Sequence, residues 1–147
     1  QIYKSKAFLI GLRSDLNTNI SNLDEAKSFM VGTIRGYHSE EYLKDAGFTA
    51  QKNLILSVNY KHMWGMLFKQ RIDFVLTNFV AIDREMKSIG FNKEDIKPFL
   101  ELHDFPGELF IATGLNTSDK YVAILSNALQ QIKADGTYNK IMEKWDL

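Results

Sequence analysis

Short apolar runs alternate along this chain with stripes of helical period, and that alternation limits the fold more than any other feature. Residues 7–13 form a compact apolar run of strand length. Phe29-Met30-Val31-Gly32-Thr33-Ile34, Leu54-Ile55-Leu56-Ser57-Val58 and Asp73-Phe74-Val75-Leu76-Thr77 are further runs of the same kind. Helical segments lie between them. Ser21 is expected to cap a short helix through Lys27, with Asp24 at its third position. After the break at Gly36 a helix is expected from about Tyr37 to Ala46, ended by Gly47. Tyr60, Met63, Trp64 and Leu67 fall at i, i+3, i+4 and i+7, the stripe of an amphipathic helix. Another helix is expected from about Val80 to Ile89, and Asn92 caps a further turn. Strands separated by helices of this length imply βαβ units and a largely parallel sheet, so the fold class is α/β.

The remainder is more helical. Phe99–Leu102 and Leu109–Ala112 read as strands around a Pro106-Gly107 turn. Tyr121, Leu125, Ala128, Leu129 and Ile132 make one stripe, closed at Asp135-Gly136; Tyr138, Ile141, Met142 and Trp145 make a shorter one.

Composition removes several function classes. The chain has 147 residues, 45% of them hydrophobic and 24% charged, which suits one ordinary globular domain and argues against disorder. Eighteen basic residues balance eighteen acidic ones, with no basic stripe, so nucleic acid is not an expected partner. The absence of cysteine excludes a disulfide scaffold, thiolate zinc sites and a cysteine nucleophile. No run is apolar for long enough to span a bilayer. The chain begins Gln1-Ile2-Tyr3, which reads as a processed chain or an excised segment. Lys4 and Lys6 precede an apolar stretch shorter than a signal-peptide core, and no small-residue cleavage site follows, so the stretch reads as a strand.

Catalytic vocabulary is sparse. There is no G-x-S-x-G elbow, Walker loop or dinucleotide fingerprint. His38, His62 and His103 are far apart with no metalloprotease spacing, and neither a metal nor another cofactor is expected. Glu40-Glu41 and Glu94-Asp95 sit in polar stretches and read as solvated helix faces. One place is chemically sharper. Gly36 lies between a strand and a helix, followed by Tyr37, His38 and Ser39. A helix N-terminus there offers unpaired N–H groups and a positive dipole end, suited to a carboxylate. Ser39 adds a hydroxyl and His38 an imidazole; equally, Gly36 serves only as the turn, Ser39 caps its own helix and His38 faces solvent.

Leu129-Gln130-Gln131-Ile132-Lys133-Ala134-Asp135-Gly136-Thr137-Tyr138, with Lys140-Ile141 and Lys144-Trp145, resembles the closing segment of family 3 extracellular solute-binding proteins, the periplasmic receptors of amino-acid ABC transporters. Ile20-Ser21-Asn22-Leu23-Asp24-Glu25-Ala26 resembles that family's entry to the second lobe. Val31-Gly32-Thr33 with Gly36, then Glu41-Tyr42-Leu43, look like its strand, anion loop and following helix. Arg71-Ile72-Asp73-Phe74-Val75-Leu76 and Leu109-Phe110-Ile111-Ala112-Thr113 resemble its later strands. These segments run in family order from about residue 7 to the end.

The resemblance implies a periplasmic-binding-protein-like clamshell, with the second lobe complete and the C-terminal part of lobe one present. Residues 1–13 would be the end of lobe one and the outgoing hinge strand, 14–107 the second lobe, and 108–147 the returning strand and C-terminal helices of lobe one. Hinges are expected near Leu12–Ser14 and Gly107–Ile111. The opening third of such a receptor has no counterpart here, so the resemblance implies part of a longer protein. Without that third, the stripe Tyr121, Leu125, Leu129 and Ile132 would lose its partner sheet and stand exposed.

The implied function is non-catalytic: binding a small polar solute, an amino acid or related organic acid, for an ABC permease or a membrane sensor module, in the periplasm. The implied ligand-binding residues are Gly36, Tyr37, His38 and Ser39 for the anionic end and Asn78 for the opposite end. Tyr37 and His38 stand where the family has small hydroxyl residues, which preserves the backbone donors only. Asn78 stands where amino-acid binders carry the aspartate that pairs with the ligand's ammonium. Losing such a charge-assisted bond costs on the order of 1–3 kcal/mol, roughly 5- to 150-fold in affinity. Tyr37 and Phe79 would instead suit a larger, aromatic or less charged solute. Two alternatives remain: a dehydratase-like enzyme on the same fold using His38, Glu40 or Glu41, and a degenerate clamshell that binds a protein partner.

Overall fold

The computed structural model describes residues 1–78 and 82–145. Contacts divide the chain into two units, Lys6–Gly107 and Gln1–Ser5 with Glu108–Leu147.

The larger unit is built on a five-stranded sheet. Its strands are β2 (Ala7–Leu12), β3 (Val31–Ile34), β4 (Leu54–Ser57), β5 (Phe74–Asn78) and β6 (Ile96–Leu102), in the order β4-β3-β5-β2-β6. β3 pairs parallel with β4 and β5, whereas β2 pairs antiparallel with β5 and β6. The sheet is therefore mixed, with β2 as the one reversed strand among those described. Ala7–Leu12, expected to lead out of the first lobe, lies between β5 and β6 in this sheet. Arg13 is tied to the same unit, its Nε donating to the Glu94 carbonyl at 2.8 Å and its N–H to the Asp95 carbonyl at 2.7 Å. Leu12–Ser14 is thus attached to the larger unit, and the chain passes between units at Ser5–Lys6 and Gly107–Glu108.

Both faces of the sheet are buried, as the strand period requires when successive side chains point opposite ways. Leu9, Val31, Leu54, Phe74 and Leu76 belong to one cluster; Ile10 and Val75, each next to one of them in sequence, belong to the other. Helices α1 (Leu23–Ala26) and α2 (His38–Asp45) supply Ala26 and Leu43 to the first. Helices α3 (Tyr60–Phe68) and α4 (Ile82–Ile89) supply Met63, Trp64, Leu67, Ile82 and Met86 to the second. Burying each large apolar side chain stabilises the fold by about 1.5–3 kcal/mol. Helix–sheet–helix layering follows directly. Trp64 also donates its Nε1–H to Glu85 at 2.7 Å, joining α3 to α4.

Several local expectations are corrected. Asn22, not Ser21, caps α1: its side chain accepts from the Glu25 N–H, and the Glu25 carboxylate accepts from the Ser21 N–H at 2.8 Å. This reciprocal pairing satisfies both donors, which a serine cap one residue earlier would not. β6 and Leu109 do not form a hairpin around Pro106-Gly107, because β6 pairs with β2 while the short strand β7 (Glu108–Leu109) pairs with β1 (Tyr3–Lys4). Phe110–Ala112 is not strand: the two residues of β1 leave it no partner ladder. Val80, expected to begin a helix, lies outside the described residues. Asn92 caps a single 3-10 turn, Lys93–Asp95, by accepting from the Glu94 N–H.

The smaller unit holds β1, β7, α5 (Asp119–Ala134) and α6 (Thr137–Lys144). Tyr138 donates its hydroxyl to the Ile2 carbonyl at 2.7 Å, and Lys4 pairs with Glu108 at 3.2 Å. Neither helix has a buried residue among those described, and Tyr121, Leu125 and Trp145 are exposed. Two short strands and two helices with no core between them are too little to stand alone.

β2 makes one tight approach. A Cβ on Gly11 would meet the Phe99 ring at 2.8 Å, the Asp73 carbonyl at 3.1 Å and the Phe74 ring at 3.1 Å. Phe74 and Phe99 form an edge-to-face pair there, and a bulge between Leu9 and Ile10 in the β2–β6 register brings Phe99 to that face. On Gly32 the same atom would press on the far end of Ile72, at 2.5 Å, with the Phe74 carbonyl at an ordinary 3.7 Å. Gly11→Ala is accordingly expected to cost about 1–3 kcal/mol and Gly32→Ala less, because Ile72 can turn aside and a backbone carbonyl cannot. Urea unfolding of both variants checks this; equal midpoints would contradict it.

Candidate functional site

β3, β4 and β5 run parallel, so the loops that follow them emerge on one edge of the sheet. In sheets of this kind, ligands bind beyond the carboxyl ends of the strands. Two of the expected site segments are there. Gly36 follows β3, and Asn78 is the exposed last residue of the adjacent β5. Val31 is level with Phe74 and Gly32 with Val75, so Gly36 and Asn78 both lie beyond the paired stretch of these two adjacent strands, toward their carboxyl ends.

The β3–α2 turn is shaped by Gly36, whose φ of +78° is a left-handed conformation that costs any other residue about 1–2 kcal/mol. Nothing lies within 4 Å of where its Cβ would be, so space does not select glycine; conformation does. Tyr37 is the N-cap of α2 and makes no side-chain capping bond. The N–H groups of His38 and Ser39, in the first turn, have no intrahelical acceptor and carry the positive end of the helix dipole.

Side chains around these donors divide into two groups. Ser39 is buried, with its Oγ 2.6 Å from the Thr33 hydroxyl. It does not cap α2; its hydroxyl is paired with Thr33 beneath the helix. Glu40 folds back: its Oε2 accepts from the Gly36 N–H at 2.6 Å, and its Oε1 pairs with Lys44 one turn on. Lys44, then the Gly36 N–H, hold the Glu40 carboxyl below the usual range. Tyr37 and His38 face outward. They border an open depression of about 560 Å³ lined by Gly36, Tyr37, His38, Glu40, Glu41, Lys44 and Asp45.

His38 has its Nδ1 3.6 Å from Glu41 and its ring edge-to-face with Phe105. Phe105 also meets Tyr42, whose hydroxyl donates to Asp104 at 2.7 Å. Burial, and then that bond, push the Tyr42 phenol up. Phe79, expected to line the pocket, lies outside the described residues. The other histidines have local partners: His62 Nδ1 is 3.1 Å from Ser57 Oγ, and His103 lies beside Glu101. Among the described residues no three His, Cys, Asp or Glu side chains are grouped to hold a metal ion.

Thr33 and Phe105 are not among the expected site residues, and Glu40 enters them only as an acid–base candidate of the alternative enzyme reading. Glu40 had a legible signal, standing three residues after the N-cap as in a capping box and four before Lys44. Phe105 had none, because nothing local relates it to α2.

No family model and no curated protein matches the sequence. Solved structures do. An ancestral arginine-binding protein bound to glutamine is 25% identical with a TM-score of 0.71, over 98% of this chain and 60% of that one. An amino acid ABC transporter substrate-binding protein of Streptococcus pneumoniae bound to L-arginine is 20% identical with a TM-score of 0.75, over 98% and 58%. A histidine kinase sensor domain with similarity to periplasmic binding proteins is 17% identical with a TM-score of 0.69, over 96% and 58%. The chain therefore spans about 60% of the length of the structures it matches.

The depressed Glu40 carboxyl has a pH consequence. A group whose folded pKa lies below its unfolded one stabilises the fold fully above the unfolded value and loses that contribution as pH falls through the folded value. Carboxyl-detected NMR titration is expected to find Glu40 below an ordinary glutamate, and Lys44→Ala to bring it back toward that range. An ordinary titration in the parent chain, or none of this rise in the variant, would contradict the assignment. The fold itself is that of the periplasmic-binding proteins, and the neighbours that share it include substrate-binding proteins of amino-acid ABC transporters and a histidine kinase sensor domain.

Proposed function

We propose that this chain belongs to a solute-binding protein that takes a small polar solute, an amino acid or a related organic acid, at the carboxyl edge of the five-stranded sheet. One observation carries the reading. The N-terminus of α2 and the exposed Asn78 follow the carboxyl ends of adjacent parallel strands, the edge at which such sheets bind ligands. The N–H groups of His38 and Ser39 take the solute's anionic end, Gly36 provides the turn that aims them, and Asn78 takes the opposite end. Ser39 contributes its backbone only, and Tyr37, 61% exposed, lines the depression beside it.

Likeness to receptors bound to arginine and glutamine supports the solute class and not the particular solute. Asn78 offers no countercharge to an ammonium, and the exposed ring of Tyr37 suits an apolar or aromatic portion; both favour a solute less charged than arginine. The output is delivery to an ABC permease or signalling through a membrane sensor module, the second being supported by the sensor-domain neighbour. The expected compartment is the periplasm; no helix among the described residues is long and apolar enough to cross a membrane. The crossings at Ser5–Lys6 and Gly107–Glu108 are the segments on which hinge motion would turn. Binding without turnover is the expected chemistry, since Glu40 is committed to Gly36 and Lys44.

Calorimetric titration of a panel of amino acids and organic acids into the full-length chain tests this. Asn78→Ala is expected to weaken the bound solute, and Asn78→Asp to tighten solutes that carry an α-ammonium by roughly 5- to 150-fold. Solute affinity unchanged by both substitutions would contradict the reading and favour a partner-binding role. Conversion of an offered acid to product would favour an enzyme.

A further inference from the structure

We infer that Phe105, on the turn after β6, is a positioning residue for the candidate solute site. His38 and Tyr42 lie four residues apart on α2 and so share one face of the helix. The Phe105 ring meets both of them edge-to-face, with centroids 5.7 Å from His38 and 5.0 Å from Tyr42. Its own place is held from two sides. The Phe105 N–H donates to the Leu102 carbonyl at 3.2 Å, and the adjacent Asp104 carboxylate accepts from the Tyr42 hydroxyl at 2.7 Å.

His38 has little else to orient it. Its side chain is 54% exposed, and 3.6 Å to Glu41 is too long for a hydrogen bond. Edge-to-face packing with a fixed ring has a preferred geometry, so Phe105 sets where the imidazole stands at the border of the depression. Phe105 does not line that depression. It acts through His38, from a segment remote in sequence and two residues before the chain leaves the larger unit. The inference rests on the reading that the Gly36–Ser39 loop binds the solute. It adds that the loop's outward side chain is held by the turn that leads to the other unit.

The test uses the full-length chain with isotope-labelled histidine, and the same panel of amino acids and organic acids, L-glutamine and L-phenylalanine among them, as the solutes offered. Phe105→Leu removes the ring while keeping an apolar side chain, and Phe105→Tyr restores a ring. Phe105→Leu is expected to shift the His38 ring resonances by loss of the ring current and to weaken solute binding on the order of twofold to tenfold, with Phe105→Tyr returning both. Should Phe105→Leu fail to fold, Tyr42→Phe carries the test: it removes one hydroxyl, releases Asp104, and is expected to move the same His38 resonances. Unmoved His38 resonances overturn the inference, and so does a shift of those resonances with unchanged affinity. Failure of the parent chain to bind any offered solute, seen before a variant is made, overturns instead the reading on which the inference rests.

Discussion

Burial of the sheet on both faces is the constraint from which the rest follows. Leu9 and Ile10 are fully buried neighbours on opposite faces of β2, as are Phe74 and Val75 on β5. A sheet of this kind must be covered by helices on each side. The parallel strands β3, β4 and β5 then return through helices, and their following loops collect on one edge. That Gly36 and Asn78 both come at this edge is a by-product of that winding.

Within the edge, each polar side chain either completes the protein or is left to a ligand. Ser39 and Thr33 satisfy one another beneath α2, and Glu40 closes the turn on Gly36. What they leave is backbone: donors at the first turn of α2, with Tyr37 and His38 outside them. The same division makes the loop's shape depend on Glu40 and on the αL turn at Gly36 more than on the outward residues.

Much of this was legible because it is periodic. Compact apolar runs in residues 7–13, 29–34, 54–58 and 73–77 located the strands, and the Tyr60–Leu67 stripe located α3, because each pattern reports side chains that must be buried. The reversed direction of β2 was not legible, since an apolar run reads alike in either direction. The Leu109–Ala112 strand failed for a related reason: local propensity proposes a strand, but a ladder needs a partner, and β1 supplies two residues of one. Gly36 was singled out by its own local sequence and Asn78 through a resemblance, whereas the bonds that fix the loop were not legible. The Tyr42–Asp104 and His38–Phe105 contacts join positions whose proximity only the folded chain creates.

Mapping amide shifts during solute titration tests the central claim most directly. Proton–nitrogen NMR spectra of the full-length chain would be followed as a mixture of amino acids is added. Saturable shifts are expected at the His38 and Ser39 amides and at the Asn78 side-chain amide, with the strands' interior amides unmoved. Saturable binding that leaves all three groups in place, and moves a different surface instead, would contradict the account.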